Sequence, residues 1–557
     1  MVADDCRGTG GSRQPLRIPV LVAGTLLYGI LVAVATLRTW RHYELLAILL
    51  QAVLLLPALL YGLKGGGPAL PSLPIPARAG VWTAAAMGIF LIGSAALSAI
   101  ITQGPEADER AYLFEARILG AGRMMAEPPP GATALPGDAP LPINFANTIL
   151  SQNGWYGKYL LGWPLVLALP AKFGWAWAVN PLLGVGILIF TARIARALDG
   201  ERGVFLSVLL LVLSPCFLAR CVVLMTHPTA GLLVAAACWA WFEGVRGRRL
   251  RCFALMYLLI AVAFHVRPLT ALITALTLTG GAVFTLRRER GLLVRVLAVG
   301  AVLGALTVGS MMAYNRAFTG DPWLSPYAFL RGTRVPLEVS ASGPEILGNL
   351  KKMWRFSAQS TLVFSFPTIF VLAGIGFWKN RRSSPMVWVL LSLFVAIVLG
   401  HLVQTEASSS SLGERYWFEG YFAVAILAAL GIPTVAAALR SPRRALIAAG
   451  CAMLAVQAAT TIVGGRALWQ RSAASIAVGH LAAQYRNCHC VVFFESSPPA
   501  FYGLHQNLNG PDWKKANAFY AVDPGPDQRM AWAQKLGRER WVVLGYDPTR
   551  GVARLEQ

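Results

Sequence analysis

Apolar runs of roughly twenty residues recur from Leu16 to Val463, separated by short arginine-rich clusters. A run of that length matches the hydrocarbon thickness of a bilayer. In lipid, a helix is the simplest segment that satisfies its own backbone polar groups, so each run predicts a transmembrane α-helix. Spans are read at Leu16–Leu37, Glu44–Leu63, Gly80–Thr102, Ala176–Leu198, Gly203–Leu218, Pro228–Val245 and Cys252–Val266. They continue at Leu269–Leu286, Leu292–Ala313, Thr361–Trp378, Pro385–Gln404, Trp417–Leu439 and Ala445–Val463, thirteen in all. Only 13% of the 557 residues are charged, about half the share in soluble proteins. A soluble enzyme with a single anchor is therefore excluded. No small-residue cleavage site follows the first apolar run, so Leu16–Leu37 reads as a retained span behind a polar tail, Met1–Pro15.

The formal net charge is +23. Its placement argues against nucleic acid, because the basic residues sit between apolar runs and form no continuous stripe. Arg193/Arg196/Arg202, Arg246–Arg251, Arg287–Arg290, Lys379–Arg382 and Arg440–Arg444 all fall on one side of the alternating spans. The positive-inside rule makes that side cytoplasmic. The loops after Thr102, Ala313 and Gln404 then face outward, as does the tail. In the tail, Cys490–Glu495 and Trp541–Leu544 read as buried strands, and Ile476–Tyr485 and Asp527–Leu536 as helices. The expected fold class is a polytopic α-helical membrane protein of about thirteen transmembrane helices with a small C-terminal α/β soluble domain. The expected units are residues 1–102, an N-terminal tail with three spans; 103–175, an outer loop with interfacial helices; 176–464, the transmembrane core; and 465–557, the α/β domain. Cys488 and Cys490 lie two apart on a strand, which points them to opposite faces and argues against a bridge between them.

The longest early polar interruption, Gln103–Tyr159, holds Asp108-Glu109 at one end and Lys158 between Tyr156 and Tyr159 at the other. Acidic residues here open an amphipathic helix, Tyr112–Leu119, and favour its dipole; the same position keeps a carboxylate ionised, as a base must be. Lys158 reads as an interfacial anchor or as a cation for a lipid phosphate. His265 and Arg267 end a span on the outer side: Arg267 either snorkels or binds phosphate as a planar fork, with His265 adjusting the pocket. His227-Pro228 reads as a helix entry, and Asp321 as turn chemistry. Arg415 and Tyr416 open a span facing the same outer cleft. Glu419 lies about one turn below them, where an ionisable group in the bilayer marks a functional site. No zinc-type cysteine spacing is present, and a divalent metal is optional.

Asp108-Glu109-x-x-Tyr112, Ala116-Arg117-x-Leu119, Gly122-Arg123, a proline-rich segment and Trp155-Tyr156-Gly157-Lys158-Tyr159-x-x-Gly162-Trp163-Pro164 together resemble the GT-C superfamily of membrane glycosyltransferases. The resemblance is to the bacterial branch that uses polyprenyl-phosphate sugars, with its aminoarabinose transferases, galacturonosyltransferases and protein O-mannosyltransferases. Gly413-x-Arg415-Tyr416, and Tyr314-Asn315 followed by Thr319-Gly320-Asp321-Pro322, look like that branch too, so the resemblance covers roughly Gly80–Leu439. It implies that Asp108, with Glu109 second, is the catalytic acidic residue, acting as the base, and that Lys158 contacts the lipid phosphate. Side-chain chemistry adds Arg267, Arg415 and Tyr416 as donor-phosphate contacts, and Tyr112, His265 and Glu419 as pocket residues. The expected partners are a polyprenyl-phosphate sugar donor, the membrane, and an envelope lipid, glycan or protein as acceptor at the outer face of a bacterial inner membrane, with the N-terminus cytoplasmic. Two other readings stand beside it. A transporter or flippase of lipid-linked sugars calls for paired halves and mid-membrane charges, and a non-catalytic assembly partner calls for a decayed site.

Overall fold

The computed structural model describes residues 79–105, 107–130, 147–151, 154–332, 344–349, 368–403, 415–438, 473, 475–495, 507–547 and 552–556. The polar tail and the spans expected at Leu16–Leu37, Glu44–Leu63 and Ala445–Val463 lie outside them. Among the described residues, seven helices are long and apolar enough to cross a membrane, and two apolar helices are shorter. In chain order these and their connections are α1 (Ala79–Ile101), α2 (Ala107–Gly120), the hairpin β1 (Thr148–Ser151) and β2 (Gly154–Gly157), α3 (Gly162–Lys172), α4 (Ala176–Val212) and α5 (Pro215–Val222). There follow α6 (His227–Gly247), α7 (Leu250–Phe264), α8 (Pro268–Leu286), α9 (Arg290–Thr319), the short α10 (Pro326–Leu330), α11 (Thr368–Asn380) and α12 (Pro385–Leu402). A 3-10 turn (Arg415–Gly420) leads directly into α13 (Tyr421–Ala438).

Apolar residues on all sides of a helix call for burial on all sides. Accordingly α13 runs through the centre of the bundle, with Tyr421 to Ala428 all in the main core. α9 presents Val294, Val302 and Leu306 outward, as a lipid-facing helix does. Arg248 Nε meets Glu289 Oε1 at 2.7 Å, so two of the basic clusters read as cytoplasmic lie at the same end of the bundle.

The span expected at Gly203–Leu218 is not a single helix. α4 leaves helical geometry at Asp199 and Gly200, so its second limb is only about twelve residues, near 18 Å. Ser214 then caps a new helix, its Oγ accepting from Phe217 N–H, with Pro215 at the first position. Pro215 cannot donate the bond that continuing α4 requires. The reach across the membrane is therefore split between a short limb and α5.

α11 and α13 are held together by two glycines. A Cβ on Gly431 would overlap the Leu372 carbonyl oxygen, and one on Gly376 would overlap that of Leu427. Such backbone-to-backbone approach is how helices associate in lipid, where small residues rather than apolar burial set the contact. Gly431→Val is expected to separate the pair and destabilise the fold by about 1–3 kcal/mol or more, read as a lowered unfolding temperature in detergent.

Beyond residue 475, a helix at 475–484 packs with a four-stranded sheet of order β4-β3-β5-β6, with β3 Cys490–Phe494, β4 Phe519–Val522, β5 Arg540–Asp547 and β6 Val552–Glu556. β3 pairs parallel with both β4 and β5, and β6 is antiparallel to β5. α14 (Pro526–Lys535) connects β4 to β5. Cys488 and Cys490 are disulfide-bonded, contrary to the expectation from strand alternation. The strand begins only at Cys490, and His489 takes a positive φ of 50°, which turns the chain so that both side chains meet. The sheet shares one core with the outer loop: Phe114 and Ile118 of α2 and Trp155 of β2 pack with Phe493 and Phe519. Arg110 Nη2 donates to Ser475 Oγ at 2.7 Å, and Arg123 pairs with Asp512. One face of α2 is thus clamped by the α/β unit, leaving the other to face the bundle.

Candidate active site

The free face of α2 looks into a cavity of about 740 Å³ at one end of the bundle. Its walls come from α2, the segment after β2, the α5–α6 and α7–α8 turns, the end of α9, α10 and the 3-10 turn before α13. All are elements placed on the outer side by the charge pattern. Of the expected site residues, Asp108, Tyr112, Lys158, Arg267, Arg415 and Tyr416 line this cavity together.

The two ends of the Gln103–Tyr159 stretch meet here. Asp108 Oδ1 accepts from Asn147 Nδ2 at 2.8 Å, and the Asn147 carbonyl accepts from Lys158 N–H at 3.0 Å. Asn147 does this at a φ of 66°, a left-handed conformation that asparagine tolerates better than most residues. Asp108 Oδ2 lies 3.9 Å from Arg415 Nη1, and Lys158 Nζ lies 4.4 Å from the Tyr327 ring centre. Tyr112 stacks at 4.3 Å on Tyr159. Burial, with the Asp108 charge adding, pushes the Tyr112 phenol well above its usual range, so it stays protonated.

The hairpin that delivers Lys158 is fastened at several points. Tyr156 OH donates to Phe318 O at 2.6 Å, Tyr314 OH to Tyr159 O at 2.9 Å, and Trp163 Nε1 to Leu224 O at 3.1 Å. Gly157 is required by close approach: a Cβ there would come within 2.7 Å of Glu115 Oε2. Glu115 is fully buried, neither carboxyl oxygen has a hydrogen-bond partner, and burial raises its pKa well above the usual carboxylate range. A raised folded-state pKa means stability is greatest below the unfolded value and falls as pH rises toward the folded one. Glu115→Gln is therefore expected to flatten that decline, gaining stability over the native protein as pH rises above about 4.5; unfolding temperatures measured across pH check it.

Three expected site residues fall elsewhere. Glu109 faces away from the cavity: it is buried, and its Oε1 accepts the Leu224 N–H at 2.7 Å. That bond satisfies the turn leading to Thr226 and His227, so Glu109 supports the wall rather than touching its contents. His265 is half-buried outside the cavity, bonded through Nε2 to Ser310 Oγ at 3.0 Å, and its carbonyl accepts from Gly162 N–H. The i+2 step from Arg267 turns it to the other side of the span end. Glu419 lies behind the wall, not in it. It is completely buried, 3.0 Å from His227 Nδ1 and 3.0 Å from Arg267 Nε.

His227, read from sequence as a plain helix entry, is thus a buried partner of Glu419 and lines the cavity. His401, Tyr327, Arg331 and Asn147 also line it and carry no local signal; Tyr327 and Arg331 share α10 and its end, while His401 and Asn147 come from α12 and from the turn before β1. Asp321 is turn chemistry as expected, its Oδ1 accepting from Trp323 N–H. Among the described residues no three His, Cys, Asp or Glu side chains gather as a metal site would require.

No protein-family model matches the sequence, and no curated protein matches it. Solved structures of similar shape include the oligosaccharyltransferase of Archaeoglobus fulgidus, with a TM-score of 0.46 at 12% identity over 82% of this chain and 68% of that one. ArnT from Cupriavidus metallidurans bound to undecaprenyl phosphate gives a TM-score of 0.45 at 11% identity over 83% of this chain and 93% of that one. The arabinosyltransferase EmbB of Mycobacterium smegmatis gives 0.34 at 15% identity, over 70% and 34%.

Proposed function

We propose that this chain is an integral-membrane glycosyltransferase of the GT-C type, which moves a sugar from a polyprenyl-phosphate carrier to an acceptor at the outer face of a bacterial inner membrane. The observation that carries the reading is the joining of two unlike spaces. The polar cavity with Asp108 shares Phe264 and Val308 with an apolar groove of about 800 Å³ between α7, α8 and α9, which runs down the bundle to Arg287. An ionic head beside a long apolar channel fits a ligand with a charged head and a hydrocarbon tail. A soluble nucleotide sugar has no use for the groove.

The chemistry follows from the side chains. Asp108 takes the acceptor hydroxyl proton as that oxygen bonds to the anomeric carbon. The carbon–oxygen bond to the phosphate breaks on the opposite face, and the configuration inverts. The carrier phosphate leaves as a monoester whose gathering charge is met by Arg267 and Arg415, with Tyr416 between them and Lys158 across the cavity. Tyr112 stays neutral, and Glu419 behind the wall, bonded to His227 in it, fixes Arg267.

Full-length protein in vesicles, supplied with radiolabelled polyprenyl-phosphate sugars and a panel of envelope lipids and glycans, is expected to yield labelled acceptor of inverted anomeric configuration. The same sugars as nucleotide derivatives are expected to yield none. Movement of the lipid-linked sugar across the bilayer without transfer would establish a flippase instead.

A further inference from the structure

Resting on that reading, we infer that Asn147 and Tyr159, the residues flanking the β1–β2 hairpin, are positioning residues for the reaction: together they aim the Asp108 carboxylate. The backbone of α2 is already fixed by the core it shares with the sheet and by the Arg110–Ser475 and Arg123–Asp512 contacts. What remains to be placed is the side chain of Asp108, in the first turn of that helix. Its terminal torsion joins an sp³ carbon to an sp² carboxylate, and such torsions are broad. A base that must meet a hydroxyl in one geometry therefore needs partners of its own.

Each end of the hairpin supplies one. Asn147 Nδ2 donates to Asp108 Oδ1 at 2.8 Å, and the Tyr159 hydroxyl donates to the same carboxylate. Burial, with Tyr112 and Asp108 adding, pushes the Tyr159 phenol well above its usual range, so it stays protonated and keeps a hydrogen to give. The rest of Tyr159 is held independently: its ring lies 4.3 Å from that of Tyr112, and its carbonyl accepts from Tyr314 OH at 2.9 Å. Asn147 occupies a demanding position. Its φ of 66° favours glycine, asparagine or aspartate. Glycine has no side-chain donor, and aspartate would set a second carboxylate against the first. Asparagine meets both demands. Its carbonyl meanwhile accepts Lys158 N–H at 3.0 Å, one step past the Thr148–Gly157 pair that ends the ladder. The grip on the base and the lysine at the carrier phosphate are thus parts of one hairpin, and docking that hairpin sets both.

The test uses full-length protein in vesicles, with the same radiolabelled polyprenyl-phosphate sugars and acceptor panel, and two substitutions that spare the backbone. Asn147→Gly keeps the left-handed conformation and removes the amide; Tyr159→Phe keeps the ring and removes the hydroxyl. Each is expected to lower kcat roughly 10- to 100-fold while the KM for the polyprenyl-phosphate sugar changes by no more than about twofold. Neither should lower the rate further in an Asp108→Asn background, because the group they aim is already lost as a base. Asn147→Asp, which also suits the backbone, should fall at least as far as Asn147→Gly. A purely structural role would instead add its loss to that of Asp108→Asn and would tolerate Asn147→Asp, and either result would overturn the inference. Infrared difference spectra between each protein and its Asp108→Asn counterpart supply a readout that needs no turnover. The Asp108 carboxylate stretch should move in both variants, since each removes a hydrogen bond to it. An unmoved band, or undiminished kcat, in either variant would strip that residue of the role. If the native protein transfers no sugar while the band still moves in both variants, the grip on Asp108 stands and the transferase reading falls.

Discussion

Replacing Asp108 with Asn is expected to lower the rate of sugar transfer by roughly 10²- to 10⁴-fold, the usual worth of a positioned general base. The substitution is informative because little else changes. Asn fills the same volume on the same turn of α2, and its amide oxygen can still accept from Asn147 Nδ2, which Asp108 receives at 2.8 Å. It is lost only as a proton acceptor and as a charge facing Arg415. Binding of a polyprenyl monophosphate should be kept or slightly strengthened, since Arg415 is relieved of a neighbouring carboxylate 3.9 Å away. The expected signature is thus a fall in kcat with little change in carrier affinity or unfolding temperature. Glu109→Gln, by contrast, should act through stability, because Glu109 is bonded to the Leu224 backbone and does not reach the cavity. Undiminished transfer by Asp108→Asn in a folded protein would remove the base assignment.

The second large effect is structural. Glu419→Leu is expected to cost about 3–5 kcal/mol of stability, because it removes one partner of a buried charge pair and leaves the other uncompensated. Glu419 is completely buried, with Arg267 Nε and His227 Nδ1 both at 3.0 Å. Without it, the Arg267 guanidinium shares the Tyr416 ring with a second cation, Arg415, while the buried Arg220, whose charge also acts on Glu419, loses that counter-charge too. The measurement is the unfolding temperature in detergent, paired with carrier binding in the fraction that remains folded. Both should fall in Glu419→Leu, and Glu419→Gln should fall less because the amide still accepts from His227. A stable Glu419→Leu protein with normal carrier binding would show that Arg267 is held by other contacts.

The bundle was largely legible from sequence because a bilayer imposes a simple rule: twenty apolar residues, a basic end, and a turn. α1, α6, α8, α9, α12 and α13 fall close to the runs that predict them. The rule fails where the run is broken by local chemistry, as at Ser214-Pro215, where a capping hydroxyl and a missing N–H start a new helix. In the tail, β3, β5 and two helices are readable from apolar runs. β4, Phe519–Val522, and β6, Val552–Glu556, are not, since Phe-Tyr-Ala-Val and Val-Ala-Arg-Leu-Glu lack the unbroken Val- and Phe-rich run that marks Cys490–Phe494. The Cys488–Cys490 bridge escapes the alternation rule because the backbone turns at His489 before the strand begins.

The site divides in the same way. Asp108, Tyr112, Lys158, Arg267, Arg415 and Tyr416 can be picked out because polar residues at the ends of apolar spans are few. Their sequence also fixes that they lie at the same end of the membrane, through the alternation of spans and the sidedness of arginine. Which of two adjacent carboxylates faces the cavity is not a property of the sequence. The resemblance ranks Asp108 ahead of Glu109, but composition and spacing do not separate the two, and a helix rotates successive side chains by about 100°. That rotation, together with the docking of α2 between the sheet and the bundle, turns Asp108 inward and Glu109 onto Leu224. Likewise, nothing local marks Asn147, His227, Arg331 or His401, and only the packing of distant segments makes them neighbours. The sequence by itself determined a membrane bundle with its polar chemistry gathered at one end. The tertiary structure decided which side chains meet there, because contact in three dimensions depends on helix rotation and loop path, which hydrophobic periodicity leaves open.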